Sequence, residues 1–253
     1  MEKCNIIICG CFGNMGTALR NIANEFTNEI IVTGGIDKNC DNLDVNFPVF
    51  KTPDDIDVPC DVIIDFSSVE ALNNLVEYTQ KNYKKLVLCV TGYQKEHIKL
   101  IKEVSEHVPV IKSSNTSLVV NLLIEFAKKA KNLLNENFDI EILEKHHRNK
   151  ADAPSGTALM MADAISNQDT KYNFGRNPET GVRKTNEIGI HSLRGGDICG
   201  EHEIIFLGPG EVLSMRHMSS SRNVFARGAY TAALFINNKN IPGIYSMKDV
   251  LGL

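Results

Sequence analysis

The stretch Asn5-Ile6-Ile7-Ile8-Cys9-Gly10-Cys11-Phe12-Gly13-Asn14-Met15-Gly16 decides the fold of this chain. An apolar run of strand length leads straight into a glycine-rich turn, and the residues that follow, up to Phe26, place apolar side chains at helical spacing. A strand, a turn and a helix in this order form the phosphate-binding start of a dinucleotide-binding unit, because the helix N-terminus offers N–H groups and a positive dipole end to a pyrophosphate. The spacing of the first two glycines is altered from the usual motif, so the assignment needs support from the rest of the chain.

Strand-like and helix-like segments alternate from this turn to Ile111. Because the predicted strands are apolar almost throughout, we expect both faces of their sheet to be buried. Repeated β-α-β units with such strands predict an α/β fold with a Rossmann-type, doubly wound parallel sheet. The predicted strands are 5–9, 30–36, 61–66, 86–90 and 108–111, and the predicted helices are 13–26, 69–81 and 95–107.

The pattern changes after residue 117. Apolar and polar residues alternate in four later segments, which predicts antiparallel strands with one exposed face, in a second α+β domain with an open mixed or antiparallel sheet. We expect residues 1–116 and 226–253 to form the dinucleotide-binding domain, and residues 117–225 the substrate-binding and oligomerisation domain. The predicted strands are 138–144, 188–193, 202–207 and 212–218, the predicted helices are 118–134, 156–165 and 224–236, and the polar stretch 166–187 has no assigned contacts.

Composition and charge exclude several classes of function. The formal net charge of -4 disfavours a broad basic surface for nucleic acid. No apolar run approaches the roughly 20 residues that span a bilayer, and the first residues lead into a turn instead of a signal-peptide cleavage site. Seven scattered cysteines without a completing His or Cys pair indicate reduced thiols in a cytoplasmic protein and no metal site.

The glycine turn and the next strand end predict cofactor contacts. Gly10 can make the tight turn, Gly13 lets the backbone approach a pyrophosphate, and Gly16 lets helix and strand pack closely. Asp37 lies about 20 residues further on, where a Rossmann domain carries the acid that binds the adenine ribose hydroxyls. The alternative is a plain turn aspartate. Lys38 could pair with a 2′-phosphate, so the choice between NADH and NADPH stays open.

Two further strand ends carry residues that could contact a ligand. Phe66 and Ser67 close one predicted strand, and Thr91 and Gly92 follow another. In doubly wound sheets, ligands bind beyond the carboxyl ends of the strands. Ordinary capping of the next helix explains Ser67 equally well.

The basic run from Glu144 to Ala158 carries the clearest chemistry. His146 and His147 can give or take a proton near neutral pH, and Lys150 can hold an anion or donate a proton. Ser155 can cap the helix predicted to begin at Gly156, and a helix N-terminus binds carboxylates. A solvated basic face is the plain alternative, and no carboxylate or cysteine at ligand spacing completes a metal site.

This run resembles dihydrodipicolinate reductases (4-hydroxy-tetrahydrodipicolinate reductases) of the bacterial lysine pathway, whose E-x-H-H-x-x-K-x-D-A-P-S-G-T-A block is highly specific. The resemblance covers nearly the whole chain. One departure is Cys89-Val90-Thr91-Gly92, where the family usually has G-T-T-G. Further matches are the turn 10–16, the junction segment 114–117, and the segments 191–197, 200–202 and 220–222.

The resemblance implies a reaction and a set of roles. It implies reduction of 4-hydroxy-tetrahydrodipicolinate by NADH or NADPH, with loss of water, in a homotetramer built through the sheet of the second domain. His146 would donate or accept the proton, and Lys150 would be its partner acid. The implied substrate contacts are His147, Ser155, Gly156, Thr157, Thr91 and Arg222. The implied cofactor contacts are Gly10, Gly13, Asn14, Met15, Gly16, Asp37, Lys38, Phe66, Ser67, Thr91, Gly92, Ser114, Asn115, Arg222 and Phe225.

Two rival functions share the glycine turn. Another NAD(P)-dependent dehydrogenase of two domains would have no reason to carry the H-H-x-x-K-x-D-A-P-S-G-T block. A dinucleotide sensor without catalytic activity would not need a proton-donating cluster. For the reductase, we expect the two domains to close when both ligands bind, because closure would expel water and align the reactants.

Overall fold

The computed structural model describes residues 2–40, 45–134 and 137–253. The contacts divide the chain into two compact units: unit 1 is Met1–Leu118 with Arg222–Leu253, and unit 2 is Val119–Ser221. The strands are β1 (Cys4–Cys9), β2 (Ile30–Ile36), β3 (Val49–Phe50), β4 (Val62–Asp65), β5 (Lys85–Leu88), β6 (Pro109–Lys112), β7 (Asp139–His146), β8 (Lys171–Asn173), β9 (Glu187–Arg194), β10 (Gly200–Gly208), β11 (Glu211–Ser219) and β12 (Gly243–Tyr245). The helices are α1 (Asn14–Ile22), α2 (Leu72–Asn82), α3 (Lys95–Ser105), α4 (Leu118–Leu134), α5 (Gly156–Ile165), α6 (Asn223–Asn237) and α7 (Met247–Leu251).

Unit 1 is built on a seven-stranded sheet. Its order is β12-β6-β5-β4-β1-β2-β3, and every neighbouring pair is parallel. The strand order reverses between β1 and β4, and their carboxyl ends flank the point where doubly wound sheets bind ligands. The predicted Rossmann-type sheet is therefore confirmed.

Alternate side chains of β1 enter two different cores, because successive residues of a strand point to opposite faces. Ile6 and Ile8 pack with Leu19 of α1 and Tyr230 of α6. Ile7 packs on the other face in a second core, to which α2 and α3 contribute Leu72, Leu75 and Ile101. Both faces of the sheet are thus covered, which explains why its strands are apolar throughout.

Unit 2 contains a five-stranded sheet in the order β11-β10-β7-β9-β8. Its buried face packs against α4 and α5, with Ile142, Ile190 and Ile204 fully or almost fully buried. The strand predicted at 188–193 was expected to be antiparallel, and that expectation is wrong: β9 runs parallel to both β7 and β8. Alternation of polar and apolar residues indicates a half-buried strand, but it does not encode the direction of the partner strands.

The polar stretch 166–187 contains β8 and Arg183, which joins a half-buried ion-pair cluster on β7 and β9. Arg183 pairs with Asp139 at 2.9 Å and also with Glu141, whose other oxygen lies 2.8 Å from His191 Nε2. Gly189 lies opposite Glu141, and a Cβ there would collide with the carboxylate. Arg183 thus ties this stretch to the sheet by ion pairs, and the partly buried Tyr172 packs against the apolar core of the unit.

No helix of the described residues is long and apolar enough to cross a membrane. Within the same residues, no three His, Cys, Asp or Glu side chains are grouped so that they could hold a metal ion.

Candidate active site

The turn after β1 contains a position, Gly10, that only glycine can occupy without strain. Gly10 has a φ of +77° and donates its N–H to the Ile36 carbonyl at 2.8 Å. A Cβ on Gly10 would lie 2.9 Å from Cα of Ser67, so the turns after β1 and β4 touch. Gly13 is the N-cap of α1 and has no side chain to satisfy the first N–H groups of that helix. These groups are available to an anion.

A cavity of about 520 Å³ lies beside this turn, at the carboxyl ends of β1, β2 and β4. Asp37 stands at its wall, where Oδ2 accepts the Phe12 N–H at 3.0 Å and Oδ1 accepts the Asn39 N–H at 3.2 Å. These bonds fix the carboxylate and leave each oxygen a lone pair for a ribose hydroxyl. The backbone approach, the helix end and the fixed acid fit the adenosine half of a nicotinamide dinucleotide.

The cavity brings together part of the predicted cofactor set and adds residues that the sequence did not indicate. The predicted residues in its lining are Gly10, Gly13, Asp37, Lys38, Phe66 and Ser67. Lys51 and Asn74 also line it: Lys51 follows the two-residue strand β3, and Asn74 lies in the first turn of α2. The predicted residues outside this lining are Asn14, Met15, Gly16, Thr91, Gly92, Ser114, Asn115, Arg222 and Phe225.

Asp65, at the end of β4, was not predicted as a site residue. It is fully buried, and Oδ1 accepts both the Ser67 N–H at 2.9 Å and its hydroxyl at 2.5 Å. Burial raises the pKa of Asp65 above its usual value, although the bonds from Ser67 oppose this shift. The carboxyl group therefore positions Ser67 under the cavity.

The strand ends further along the sheet hold the other predicted cofactor residues. Gly92 has a φ of +87°, and Thr91 beside it is exposed. Asn115 is buried, and its Oδ1 accepts the Ser117 N–H at 2.9 Å. The next residue, Thr116, donates its hydroxyl to the Phe225 carbonyl at 2.6 Å, which joins this segment to the first turn of α6 just after the exposed Arg222. Residues 91–92 follow β5, and residues 114–116 follow β6. The carboxyl ends of both strands lie at the same edge of the sheet as the cavity.

In unit 2, His146 ends β7 and is held by a buried carboxylate. Its Nδ1 lies 2.6 Å from Oε2 of Glu144, which is fully buried. Arg194 bonds both oxygens of Glu144, at 2.6 and 2.7 Å. Burial alone would raise the pKa of Glu144, but the hydrogen bonds from His146 and Arg194 outweigh it and hold that pKa well below its usual range. Glu144 is thus ionised and can only accept hydrogen bonds.

The start of α5 is attached to the same carboxylate. The Ser155 N–H donates to Oε1 of Glu144 at 3.1 Å, and Ser155 Oγ caps α5 by accepting the Ala158 N–H at 3.2 Å. At the exposed Gly156, a Cβ would meet nothing within 4 Å. Packing therefore does not require a glycine at the first position of α5, and a ligand can approach the backbone there.

The loop between His146 and α5 is basic and fastened at several points. The Lys150 N–H donates to the His147 carbonyl at 3.1 Å, and Lys150 Nζ lies 2.7 Å from Asp152. Arg194 also donates to the Asp152 carbonyl at 2.7 Å. The predicted residues His146, His147, Lys150, Ser155, Gly156 and Thr157 thus share one continuous segment that runs from the end of β7 into α5.

His202 of β10 completes this site and was not predicted as a member. Its Nε2 lies 2.9 Å from Ser155 Oγ, and its ring meets the His146 ring edge-on, with centroids 5.1 Å apart. Burial first, and then the nearby charge of His146, lower the pKa of His202 to about 4. His202 is therefore neutral at pH 7.

The missed residues Glu144, Arg194 and His202 left only a partial signal in the sequence. Glu144 and His146 are two residues apart on a predicted strand, which puts them on the same face. The contact of Arg194 depends on the parallel register of β9, and that of His202 on the register of β10.

The chemistry of this segment suits a small dianion. One histidine nitrogen, one lysine and the N-terminus of a helix lie along it, with the carboxylates nearby already paired. Such a set can bind carboxylate groups and supply a proton.

Comparison with known proteins gives the same family for both parts of the chain. The family model "Dihydrodipicolinate reductase, N-terminus" matches residues 4–116, and "Dihydrodipicolinate reductase, C-terminus" matches residues 119–251. The chain is 44% identical over 251 residues to the 4-hydroxy-tetrahydrodipicolinate reductase of Clostridium botulinum strain Eklund 17B, covering 98% of each. It is 46% identical over 249 residues to that of Caldanaerobacter subterraneus, covering 97% of each.

Solved structures show the same fold. A dipicolinate-bound dihydrodipicolinate reductase from Paenisporosarcina sp. TG-14 aligns with a TM-score of 0.78 at 23% identity, covering 97% of this chain and 98% of that one. A probable dehydrogenase from Thermotoga maritima aligns with a TM-score of 0.65 at 13% identity, covering 97% and 92%.

Proposed function

The chain belongs to the dihydrodipicolinate reductase family, and from that premise we propose what its residues do in the reaction. The reaction is the reduction of 4-hydroxy-tetrahydrodipicolinate to tetrahydrodipicolinate, with loss of water, in lysine and diaminopimelate biosynthesis. NADH or NADPH supplies the hydride when it is bound. We assign dinucleotide binding to residues 1–116 with 226–253, and substrate binding to residues 117–225.

The proposed cofactor contacts follow from the geometry at the carboxyl edge of the first sheet. The turn from Gly10 to Gly16 and the N-terminus of α1 take the pyrophosphate, and Asp37 takes the adenine ribose hydroxyls. Lys38 and Lys51 line the same cavity and can pair with a 2′-phosphate, which supports use of both nucleotides. The strand ends at Thr91–Gly92 and Ser114–Asn115, together with Arg222 and Phe225, are proposed to contact the nicotinamide half.

His146 is proposed as the residue that gives the substrate its proton. Its Nδ1 is engaged by Glu144, which leaves Nε2 as the nitrogen that can face a ligand. Lys150 is proposed as the partner acid, which also adds positive charge for the substrate. Its present partner, Asp152, is largely exposed, so a substrate carboxylate can replace it at a small cost.

The substrate carboxylates are proposed to lie at the start of α5. The backbone of Gly156 and Thr157 and the side chain of His147 supply donors there, and Ser155 holds the helix end in place. Thr91 and Arg222 remain predicted substrate contacts.

One observation carries this proposal: the histidine–lysine loop runs directly into a capped helix N-terminus whose first residue borders open space. The test is loss of nicotinamide absorbance when the enzyme receives 4-hydroxy-tetrahydrodipicolinate made by the preceding condensation enzyme. Turnover with this substrate and none with simple keto acids supports the proposal. Binding of NADH without turnover would instead favour a sensor.

The proposed assembly is a homotetramer joined through the second sheet. On the face of this sheet opposite α4 and α5, four apolar side chains are exposed to solvent: Leu193 (50%), Leu207 (39%), Val212 (61%) and Met218 (67%). An exposed apolar face of this kind is typical of a subunit interface. Light scattering should give a tetramer for the wild type and a smaller species for Val212→Glu with Met218→Glu. A wild-type monomer would reject this assembly.

The proposed location is the cytoplasm, where thiols stay reduced. Burial raises the pKa of Cys4 and Cys60 to about 12, so both thiols are protonated and unreactive at neutral pH. Fractionation of cells that produce the protein, with thiol labelling of the unfolded chain, tests the location and the redox state together.

A further inference from the structure

We propose that Glu144 is a positioning residue that sets both the proton on His146 and the place of the α5 N-terminus. This inference rests on the proposed function, because it assumes that His146 donates the proton and that α5 binds a substrate carboxylate.

Glu144 accepts hydrogen bonds from His146, Arg194, the Ser155 N–H and the Ser192 hydroxyl. Oε2 lies 2.6 Å from His146 Nδ1 and 2.7 Å from Arg194 Nη1. Oε1 lies 2.6 Å from Arg194 Nη2 and accepts the Ser155 N–H at 3.1 Å. Because the carboxylate is ionised, His146 must keep a hydrogen on Nδ1. Nε2 is left for the substrate side, and the proton that His146 gives or takes in the reaction is the one on Nε2, so the ring donates it from the doubly protonated form and is then neutral.

The strand geometry brings these groups together. Glu144 and His146 point to the same face of β7, because they are two residues apart. The parallel register of β9 pairs Arg194 with His146, and the antiparallel register of β10 pairs His202 with Glu144. β7 and β9 thus meet at this carboxylate, and His202 of β10 lies beside it against His146 and Ser155.

Arg194 explains how this carboxylate can be buried. A fully buried charge without a partner is strongly unfavourable, whereas a bidentate arginine compensates it and leaves room for further donors on both oxygens. Arg194 also holds the Asp152 carbonyl of the basic loop at 2.7 Å. The pair therefore fixes His146, the loop and the helix start relative to one another.

The direct test is the tautomer of neutral His146, read from ¹⁵N chemical shifts of labelled histidine in the wild-type protein and assigned with His146→Gln. We expect the hydrogen on Nδ1. A neutral ring with its hydrogen on Nε2 would overturn the proposal without any change to Glu144.

The kinetic test is Glu144→Gln. Since Arg194 donates to both oxygens of the carboxylate, the amide NH₂ group of glutamine must face one of the arginine N–H groups in either orientation. We expect kcat to fall about 100-fold, as for a small misplacement of a catalytic group, with NADH affinity unchanged. Aspartate in Glu144→Asp keeps the charge but has a shorter side chain, so we expect a smaller loss of kcat than in Glu144→Gln. This variant also tests the proposal if Glu144→Gln does not fold.

A double-mutant cycle separates positioning from general damage to the fold. If Glu144 acts through His146, Glu144→Gln should lower kcat by less than about threefold in a His146→Gln background. A full 100-fold loss in that background would show a merely structural role and overturn the inference. If His146→Gln itself keeps full turnover, it is the proposed function that fails instead.

The matched control is Glu141→Gln. Glu141 lies on the same strand and also binds one arginine and one histidine, Arg183 and His191, but it points to the opposite face. We expect its kcat to stay within about twofold of the wild type. An equal loss in both variants would show that any carboxylate of β7 paired with an arginine and a histidine has the same effect, against a specific role for Glu144.

Discussion

Gly16 packs so closely on Gly10 that a Cβ at position 16 would lie 2.2 Å from the Gly10 carbonyl oxygen. The oxygen belongs to the turn backbone and cannot move aside without opening the turn. By contrast, a Cβ at Gly156 would meet nothing within 4 Å. One glycine is therefore required by packing, and the other is free to serve a ligand.

The two glycines should respond oppositely to the same substitution. We expect Gly16→Ala to lower the free energy of unfolding by at least about 2 kcal/mol and to impair NADH binding, because the turn must open. Gly156→Ala should change stability by less than about 0.5 kcal/mol but raise KM for the substrate. Urea denaturation and steady-state kinetics measure both effects; a stable Gly16→Ala protein with normal NADH affinity would contradict this prediction.

His146→Gln should lower kcat by about 10²- to 10⁴-fold, the usual range for loss of a general acid or base. The NADH dissociation constant should stay close to the wild-type value, because His146 lies in unit 2. His191→Gln is the matched control, since His191 also pairs with a glutamate of β7 but on the opposite face. Full turnover by His146→Gln would reject the assigned role.

Lys150→Ala should lower turnover about 100-fold, because it removes the partner acid and a positive charge for the substrate. NADH affinity should again stay near normal. Lys145→Ala provides the control, because Lys145 pairs with Glu201 at 2.6 Å and lies on the other face of β7. If both lysine variants lose activity equally, the effect comes from general charge and not from a specific acid.

Asp37→Ala should weaken NADH binding about tenfold, which corresponds to the loss of one or two hydrogen bonds to the ribose. NADPH should be weakened less, because removal of the carboxylate also relieves repulsion of the 2′-phosphate. Calorimetry with each nucleotide gives both constants, and the exposed Asp57→Ala is the control. Equal weakening of the two nucleotides would show that Asp37 is only a turn residue.

His202 should make the protein less stable in mild acid. Its pKa is about 4 in the folded chain and about 6.5 when unfolded, so between these values the unfolded state binds more protons. The free energy of unfolding should therefore fall as pH drops from about 6.5 to 4, by up to about 3 kcal/mol. Urea melts at several pH values should show a shallower slope for His202→Gln than for the exposed control His107→Gln. An unchanged slope would count against burial of a neutral His202.

The fold of unit 1 is well predicted from its residues, because buried parallel strands are long apolar runs. The run before Gly10 and the helix 118–134 have the expected bounds within one residue. In contrast, β8 and β12 have three residues each and no distinctive pattern, so they form only because a neighbouring strand supplies hydrogen bonds. The predicted direction of β9 was wrong for a related reason, because alternation of polar and apolar residues indicates which face of a strand is buried and not how its partner strands run.

The candidate site likewise contains residues whose proximity follows from the sequence and residues whose proximity depends on strand pairing. His146, Lys150 and Gly156 stand in one short segment, so their proximity can be read along the chain. Glu144 and Arg194 are far apart in sequence, and their contact depends on how β7 and β9 are aligned. Lys51 enters the cofactor cavity from β3, a strand of two residues that the sequence did not indicate.

The placement of α6 has a consequence for synthesis of the protein. This helix packs on the face of the first sheet that carries Ile8 and Ile64, yet the ribosome makes it only after all of unit 2. A nascent chain that ends at Ser221 has already made β1 to β6, but only α1 then covers that apolar face. Unit 1 must therefore wait, partly assembled and prone to association, until translation has passed Ile236.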